Sequence, residues 1–307
     1  MMGLWDREHV VSNKEGYYMK IAVFSDIHSN YIAFQTCLEY VLEKGIDTFI
    51  FLGDYLGEMA YPQRTMEILY SLQEKYNCIF VRGNKEEYWI GYEAGGETGW
   101  EEGNSTTGML HYSYHHMTKK DMDFFKSMPH TKEVTFEGLL PLTICHGSPR
   151  RVNELLFPDK ENTQEVMDME QNAYLLSGHT HVQYGFEYDG KHLLNPGAVG
   201  SPLNSDGKTQ FMILYGTADA WDYEFVSLDY DVEKVIAQIH EAGLPQIAPY
   251  WCKVTEPMLR TGKISHGKVL GRAMQICTEK NGECIWPNVP DECYEQAIRE
   301  LSKKIRE

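Results

Sequence analysis

Over the first 180 residues, short apolar runs alternate with longer stretches of helical period. The run KIAVF at 20–24 is rich in β-formers and reads as a buried strand, followed by the loop SDIHSN at 25–30. Asn30 caps a helix expected to run to about Lys44, with Phe34, Cys37, Leu38, Val41 and Leu42 on one face and Gly45 ending it. A near-continuous apolar strand at 48–52 ends at Gly53-Asp54. This is a βαβ unit, which predicts parallel strands and a right-handed crossover. Pro62 opens a second helix to about Tyr76, and a third strand at 78–81 ends at Arg82-Gly83-Asn84. Residues 91–108, rich in Gly, Glu and Thr, read as a loop or lid, and 109–127 as helix. Strands follow near 133–137 and 141–145, the second running into His146-Gly147. Another at 173–176 ends at Gly178-His179-Thr180-His181.

Beyond residue 183 the pattern changes to hairpins. Segments 185–188 and 191–194 flank Asp189-Gly190, a two-residue turn sequence. Segments 210–215 and 221–228 read as further antiparallel strands, and 231–243 and 291–305 as helices. The expected fold class is α/β (α+β): a layered domain with mixed sheets over 19–235, then a helical extension over 236–307 packed on it. Residues 1–18 are mixed and charged without an apolar core segment, so they read as a disordered tail or an upstream start rather than a signal peptide.

Composition narrows the partners. Twenty-eight basic residues against 45 acidic ones give a formal net charge of −17. Such a surface repels nucleic-acid backbones and anionic membranes, so no long nucleic acid and no membrane partner is expected. A small phosphate-containing substrate remains compatible, because one cationic pocket overrides the global field locally. No apolar run approaches the ~20 residues that span a bilayer. Seven cysteines without a CxxC pair read as reduced thiols of a cytoplasmic protein. Cys277, Cys284 and Cys293 cluster near the end, but their spacing fits no usual zinc pattern. A homo-oligomer is compatible with the sequence.

The chemistry gathers at strand ends. Asp26 and His28 follow the first strand, Asp54 the second, Asn84 the third, His146 a later one, and His179 and His181 the next. In open α/β sheets, sites are built beyond the carboxyl ends of the strands. Seven ligand-type residues from five segments therefore converge on one crevice. Carboxylate, imidazole and amide ligands without thiolate suit Mn, Fe, Zn or Co. Gly53, Gly83 and Gly178, each before a ligand, permit tight turns and close backbone approach.

Asp26-Ile27-His28, Gly53-Asp54, Gly83-Asn84, His146-Gly147 and Gly178-His-Thr-His181 resemble the five-block signature of calcineurin-like metallophosphoesterases. The segments at 25–30 and 195–200 are similar to the bacterial and archaeal phosphodiesterase branch of that family. The resemblance implies a four-layer α-β-β-α sandwich of two mixed sheets flanked by helices. It implies two divalent metal ions, Mn or Fe favoured: Asp26, His28 and His181 at one, Asn84, His146 and His179 at the other, and Asp54 bridging. It also implies in-line attack by a metal-bridging hydroxide on phosphorus, with the ions ~3.5–4 Å apart, and Asn84 and His146 at the reacting phosphate.

The chain departs from the family at Lys85, where His followed by an acidic residue is usual. Beside two cations a lysine loses its proton more readily and would donate it to the leaving group. The alternatives are solvent exposure or pairing with Glu86 or Glu87. Without the histidine, diesters or anhydrides with good leaving groups are favoured over monoesters. Three functions stand side by side: a phosphodiester or nucleotide phosphoanhydride hydrolase, a phosphomonoesterase on a small metabolite or phosphoprotein, and a metal-stabilised scaffold. Arg150, beside Arg151, is a candidate contact for substrate phosphate, against the plain reading of surface arginines. Asn30 is a candidate substrate contact or simply the helix cap. His111 and His115 share a helix face and suit either a metal or an aromatic lid over the pocket. The acids Glu97, Glu101 and Glu102 read as a solvated loop.

Overall fold

The computed structural model describes residues 17–306. Most of the segment read as a tail, residues 1–16, lies outside the described residues. Tyr17 and Tyr18 belong to the fold: Tyr17 donates a hydrogen bond to Asp222 at 2.7 Å, and the Tyr18 N–H bonds the Gly216 carbonyl at 3.0 Å.

In chain order the first half comprises β1 (Met19–Phe24), α1 (Tyr31–Glu43), β2 (Thr48–Phe51), α2 (Pro62–Lys75), β3 (Asn77–Phe80), α3 (Asn84–Glu93), α4 (Gly108–His116) and α5 (Lys119–Ser127). Then come β4 (Thr131–Val134), β5 (Leu142–Cys145), α6 (Glu161–Met169), β6 (Tyr174–Ser177), β7 (Gln183–Tyr188), β8 (Lys191–Pro196), β9 (Thr209–Gly216) and β10 (Trp221–Leu228). The chain closes with α7 (Val232–Glu241), α8 (Leu244–Ile247), α9 (Pro249–Thr261), α10 (His266–Asn281) and α11 (Asp291–Arg306).

Two five-stranded mixed sheets face each other, in the orders β10-β9-β1-β2-β3 and β4-β5-β6-β8-β7. The strands β1, β2 and β3 run parallel, with Val23 opposite Ile50 and Ile50 opposite Ile79. In the second sheet β5, β6 and β8 run parallel. The expected hairpin is β7–β8, with Asp189 and Gly190 both at positive φ, the geometry that turn sequence favours. Between the sheets lies an apolar layer of Ile21, Val23, Ile50, Leu142, Ile144, Leu176 and Met212. Helices α1 to α5 cover the outer face of the first sheet around Phe24, Phe34, Phe51, Trp89 and Phe125. On the outer face of the second sheet, Val166 and Met167 of α6 pack on Leu175 and Leu193. This is the four-layer arrangement that the motif blocks implied.

Local chemistry corrects several boundaries. The stretch read as one helix over 109–127 is two: Thr118 caps α5 by accepting from the Asp121 N–H, while Asp121 reaches back to the Thr118 N–H, a reciprocal box that starts a new helix. Part of the expected loop is α3, whose first residue is Asn84. Leu42, expected on the buried stripe of α1, is 37% exposed because it lies at the edge of the stripe centred on Phe34, Cys37 and Val41. The helices α7 to α11 form their own apolar cluster, which also includes Met59, Ala60, Met109 and Tyr112 from the first half of the chain.

Candidate metal centre

Parallel strands bring their carboxyl ends to one edge, and there the seven motif residues meet. The loops are stitched by backbone bonds: the Asp26 N–H to the Gly53 carbonyl, His28 to Asp54, and Gly200 to Asp26. Asp26, His28, Asp54, His179 and His181 all have φ between +49° and +64°. Left-handed backbone at non-glycine residues costs of order 1–3 kcal/mol each and persists where the surroundings over-determine it. Asp and His tolerate that region better than most side chains. The turns between them need glycine for space. A Cβ on Gly53 would stand 2.5 Å from the Gly83 nitrogen, and one on Gly83 would overlap the Asp54 carboxylate.

The ligand atoms converge tightly. Asp26 Oδ1 lies 3.1 Å from His181 Nε2 and 3.5 Å from His28 Nε2. Asp54 Oδ2 lies 3.7 Å from His28 Nε2, and its Oδ1 lies 3.5 Å from His146 Nε2. Asp54 therefore stands between the two halves of the cluster. His146 Nε2 is 3.0 Å from Asn84 Oδ1 and 3.2 Å from His179 Nδ1. Two groups of three ligand atoms fall within 4.8 Å of one another: Asp26, His28, His181, and Asp26, Asp54, His146.

The outer contacts fix which nitrogen faces the centre. His146 Nδ1 meets the Leu52 carbonyl at 2.7 Å, His181 Nδ1 the Ser201 carbonyl at 2.8 Å, and His179 Nε2 the Asn153 carbonyl at 3.2 Å. A carbonyl only accepts, so each of these nitrogens carries the proton and the opposite one turns a lone pair inward. The result is lone pairs aimed at one another, His146 against His179 and Asn84, while His28 Nε2 lies 3.3 Å from His181 Nε2. Asp26 Oδ1 is fully buried and has no hydrogen-bond partner. Such a cluster repels itself unless a cation sits at its centre, and hard N and O donors without thiolate suit a divalent ion. Burial pushes the Asp26 carboxyl up, but His181 and His146 outweigh it and hold it well below the usual carboxylate range. Burial, then the neighbouring His146, holds His179 down at about 4.

Two carboxylates that carry no motif organise the site. Glu86 accepts from the backbone N–H groups of Gly83 at 2.7 Å, Asp54 at 2.9 Å and Tyr55 at 3.0 Å, so it ties the ends of β2 and β3 together. Burial and then the Asp54 charge push it up to about 7, against the pull of those amides. Glu58 lies 3.8 Å from His28 Nδ1, accepts from Trp251 Nε1 at 3.0 Å and pairs with Lys85 at 2.7 Å. Burial pushes the Glu58 carboxyl up, but Lys85 and His28 hold it below its usual range. Lys85 thus pairs with neither Glu86 nor Glu87. Burial favours loss of the Lys85 proton, but the neighbouring Glu58 and Asp54 carboxylates outweigh that and raise its pKa. Glu86 adjoins a motif block, which was the one signal available. Glu58 and Trp251 are 193 residues apart and had none.

The remaining candidates lie elsewhere. Asn30 is buried and fully used as the cap of α1: Oδ1 accepts from Ala33 at 3.1 Å and Nδ2 donates to Gly200 at 3.0 Å. Arg150 pairs with Glu154 at 2.7 Å and Glu165 at 3.0 Å and does not line the cavity beside the cluster. Replacing Arg150 by Ala is expected to change turnover by less than about twofold, since exposed ion pairs contribute little. Michaelis kinetics on purified protein check this. His111 and His115 bond each other at 2.9 Å, while Met109 and Leu110 of the same helix line the cavity, which favours the lid reading. Cys277, Cys284 and Cys293 are free thiols. Burial and then Cys277 hold Cys284 up at about 11.

A cavity of about 470 Å³ opens from the cluster. No helix among the described residues is long and apolar enough to cross a membrane. An uncharacterized protein of Methanocaldococcus jannaschii is 27% identical over 245 residues, which is 74% of this chain and 94% of that protein. Two solved structures share the fold. A metallophosphoesterase from Sphaerobacter thermophilus gives a TM-score of 0.63 at 23% identity, over 80% of this chain and 99% of that one. A hypothetical protein of Pyrococcus horikoshii gives 0.67 at 18% identity, over 80% of this chain and 100% of that one. Residues 19–219 match the calcineurin-like phosphoesterase superfamily domain. That match takes in all seven clustered residues and most of the chain, and the chain belongs to the calcineurin-like phosphoesterase superfamily.

Proposed function

We propose that this protein hydrolyses a phosphodiester or a nucleotide phosphoanhydride at a centre of two divalent ions. Asp26, His28 and His181 would hold one ion, Asn84, His146 and His179 the other, and Asp54 both. When bound, the ions supply positive charge to the phosphoryl oxygens and activate water as nucleophile. The chain's own part is preorganisation. Carbonyls of Leu52, Ser201 and Asn153 lock three imidazoles in the tautomer that presents a lone pair. Glu86 fixes the loops that carry Asp54 and Asn84. The observation that carries the reading is the set of inward lone pairs around the unpartnered Asp26 oxygen.

The preference for diesters rests on Lys85. Its ammonium stands where a histidine is usual in the family and is held 2.7 Å from Glu58. A proton bound in that pair is a poor source for a leaving alkoxide, so substrates with good leaving groups suit the site. The test is hydrolysis of bis-p-nitrophenyl phosphate beside p-nitrophenyl phosphate, with Mn²⁺ added and after chelation. Metal-dependent cleavage with a higher kcat/KM for the diester is the expected result. A monoester preference would replace the reading by a phosphatase, and no turnover of either after metal reconstitution would favour a scaffold.

A further inference from the structure

Beside the ligand cluster, the cavity is walled by rings and apolar side chains from the sandwich and from the C-terminal region. Tyr88 and Phe157 come from the sandwich, and Trp251, Met258 and Trp286 from the C-terminal region. We propose that this chamber binds a planar aromatic group joined to the phosphate, a nucleobase, and that Trp286 is its specificity-determining residue. The proposal rests on the phosphoesterase reading of the metal centre and adds what the substrate carries beyond phosphorus.

Three observations converge on it. First, the rings are set at the right place. Tyr88 lies four residues after Asn84 on α3, one turn or roughly 6 Å along the axis, about the span of a ribose between phosphate and base. Trp286 stacks on Tyr88 with ring centroids 6.2 Å apart and planes at 24°. Second, the rings differ in freedom. Trp251 is a fixed wall: its Nε1 bonds Glu58 at 3.0 Å and its face stacks on His266 at 4.4 Å. Trp286 is half-buried, lines the cavity and sits in the loop before α11, so it offers a face to an incoming ring.

Third, the polarity is wrong for other occupants. The lysines among the described residues lining the cavity are Lys85, paired with Glu58, and Lys268, exposed. A chain of further phosphates would meet too few cations there. A bare sugar would use hydroxyl partners in place of the ring faces, and of the lining hydroxyls Thr106 Oγ1 is engaged with Tyr294 at 2.8 Å and Ser265 Oγ accepts the Lys268 N–H at 3.2 Å. A neutral flat ring gains from the aromatic faces while its polar edge stays toward the open side of the cavity, and base–aromatic stacking contributes about 1–3 kcal/mol per base.

Calorimetric titration of the Mn²⁺-loaded full chain tests this, using non-cleavable phosphonate analogues of AMP and of ribose 5-phosphate, with inorganic phosphate and octyl phosphate alongside. The AMP analogue is expected to bind about tenfold or more tightly than the ribose analogue. In Trp286→Leu and Trp286→Ala the two dissociation constants should come within about threefold of each other. The leucine variant keeps bulk at the position, so the effect reads loss of stacking rather than loss of fold. Equal binding of the two analogues to the wild type would overturn the aromatic subsite while phosphate binding left the metal centre standing. Tighter binding of octyl phosphate than of the AMP analogue would overturn it in favour of an acyl chain. Absence of metal-dependent phosphate binding would overturn the phosphoesterase reading itself, and this proposal with it.

Discussion

Asp54→Ala is expected to reduce metal-dependent hydrolysis by about a thousandfold, ~4 kcal/mol of transition-state stabilisation. Asp54 reaches both halves of the cluster, with Oδ2 3.7 Å from His28 and Oδ1 3.5 Å from His146. Its carboxylate also accepts the Lys85 backbone N–H at 2.9 Å, which sets the first turn of α3. Loss of the side chain removes negative charge from a site built to face cations. A folded variant should give a full far-ultraviolet spectrum and its own cooperative melt. Activity alone would not separate a broken site from a broken fold, so the melting temperature is measured with and without Mn²⁺. In the wild type, Mn²⁺ binding to the native state is expected to raise its stability, by about 2.7 kcal/mol at a hundred times the dissociation constant. In Asp54→Ala the accompanying rise in melting temperature should vanish. Retention of both turnover and the Mn²⁺-induced rise would remove Asp54 from the centre.

Trp89→Ala should have the largest effect on stability, a loss of about 3–5 kcal/mol measured by denaturant unfolding. Trp89 is completely buried, stacks on Phe125 at 6.1 Å and donates Nε1–H to the Leu110 carbonyl at 3.0 Å. It joins α3, α4 and α5, and α3 begins at Asn84. Its removal leaves a large cavity and frees the Leu110 carbonyl, two costs that the packed neighbours cannot relieve by collapse. Trp89→Phe keeps a ring and loses the hydrogen bond, so about 1 kcal/mol of its effect is assigned to that bond. An alanine variant that lost under ~1 kcal/mol would show that the site can repack.

Both predictions rest on how local signals became a site. The strand-end blocks were legible because apolar runs, turn glycines and ligand-type residues are all local. The β7–β8 hairpin was legible for the same reason, through Asp189-Gly190. Helix α3 was hidden because Asn84-Lys85-Glu86-Glu87 carries no apolar stripe; its start is set instead by Glu86 reaching back to the Gly83 N–H. The split between α4 and α5 was hidden because Thr118 and Asp121 look like ordinary helix surface until their side chains meet. Arg150 and Asn30 were drawn in by their nearness in sequence to the motifs. In the fold, ion pairs claim the first and a cap the second.

By itself the sequence determined the alternation of strands and helices, the identity of the seven ligand-type residues and the family they belong to. It did so because strand period, helix period and turn chemistry are written within a few residues. Only the tertiary structure decided the rest. Left-handed φ at five of those residues depends on loops bonded across the crevice, such as Gly200 to Asp26. The tautomers depend on distant carbonyls, with Leu52 and His146 94 residues apart. The pairing of Lys85 with Glu58 joins the start of α3 to the loop after β2, and the wall that Trp251 gives the cavity comes from the C-terminal region, bonded to Glu58. Burial and hydrogen bonding between remote segments set charge, proton position and cavity shape, and no local pattern encodes which remote segments will meet.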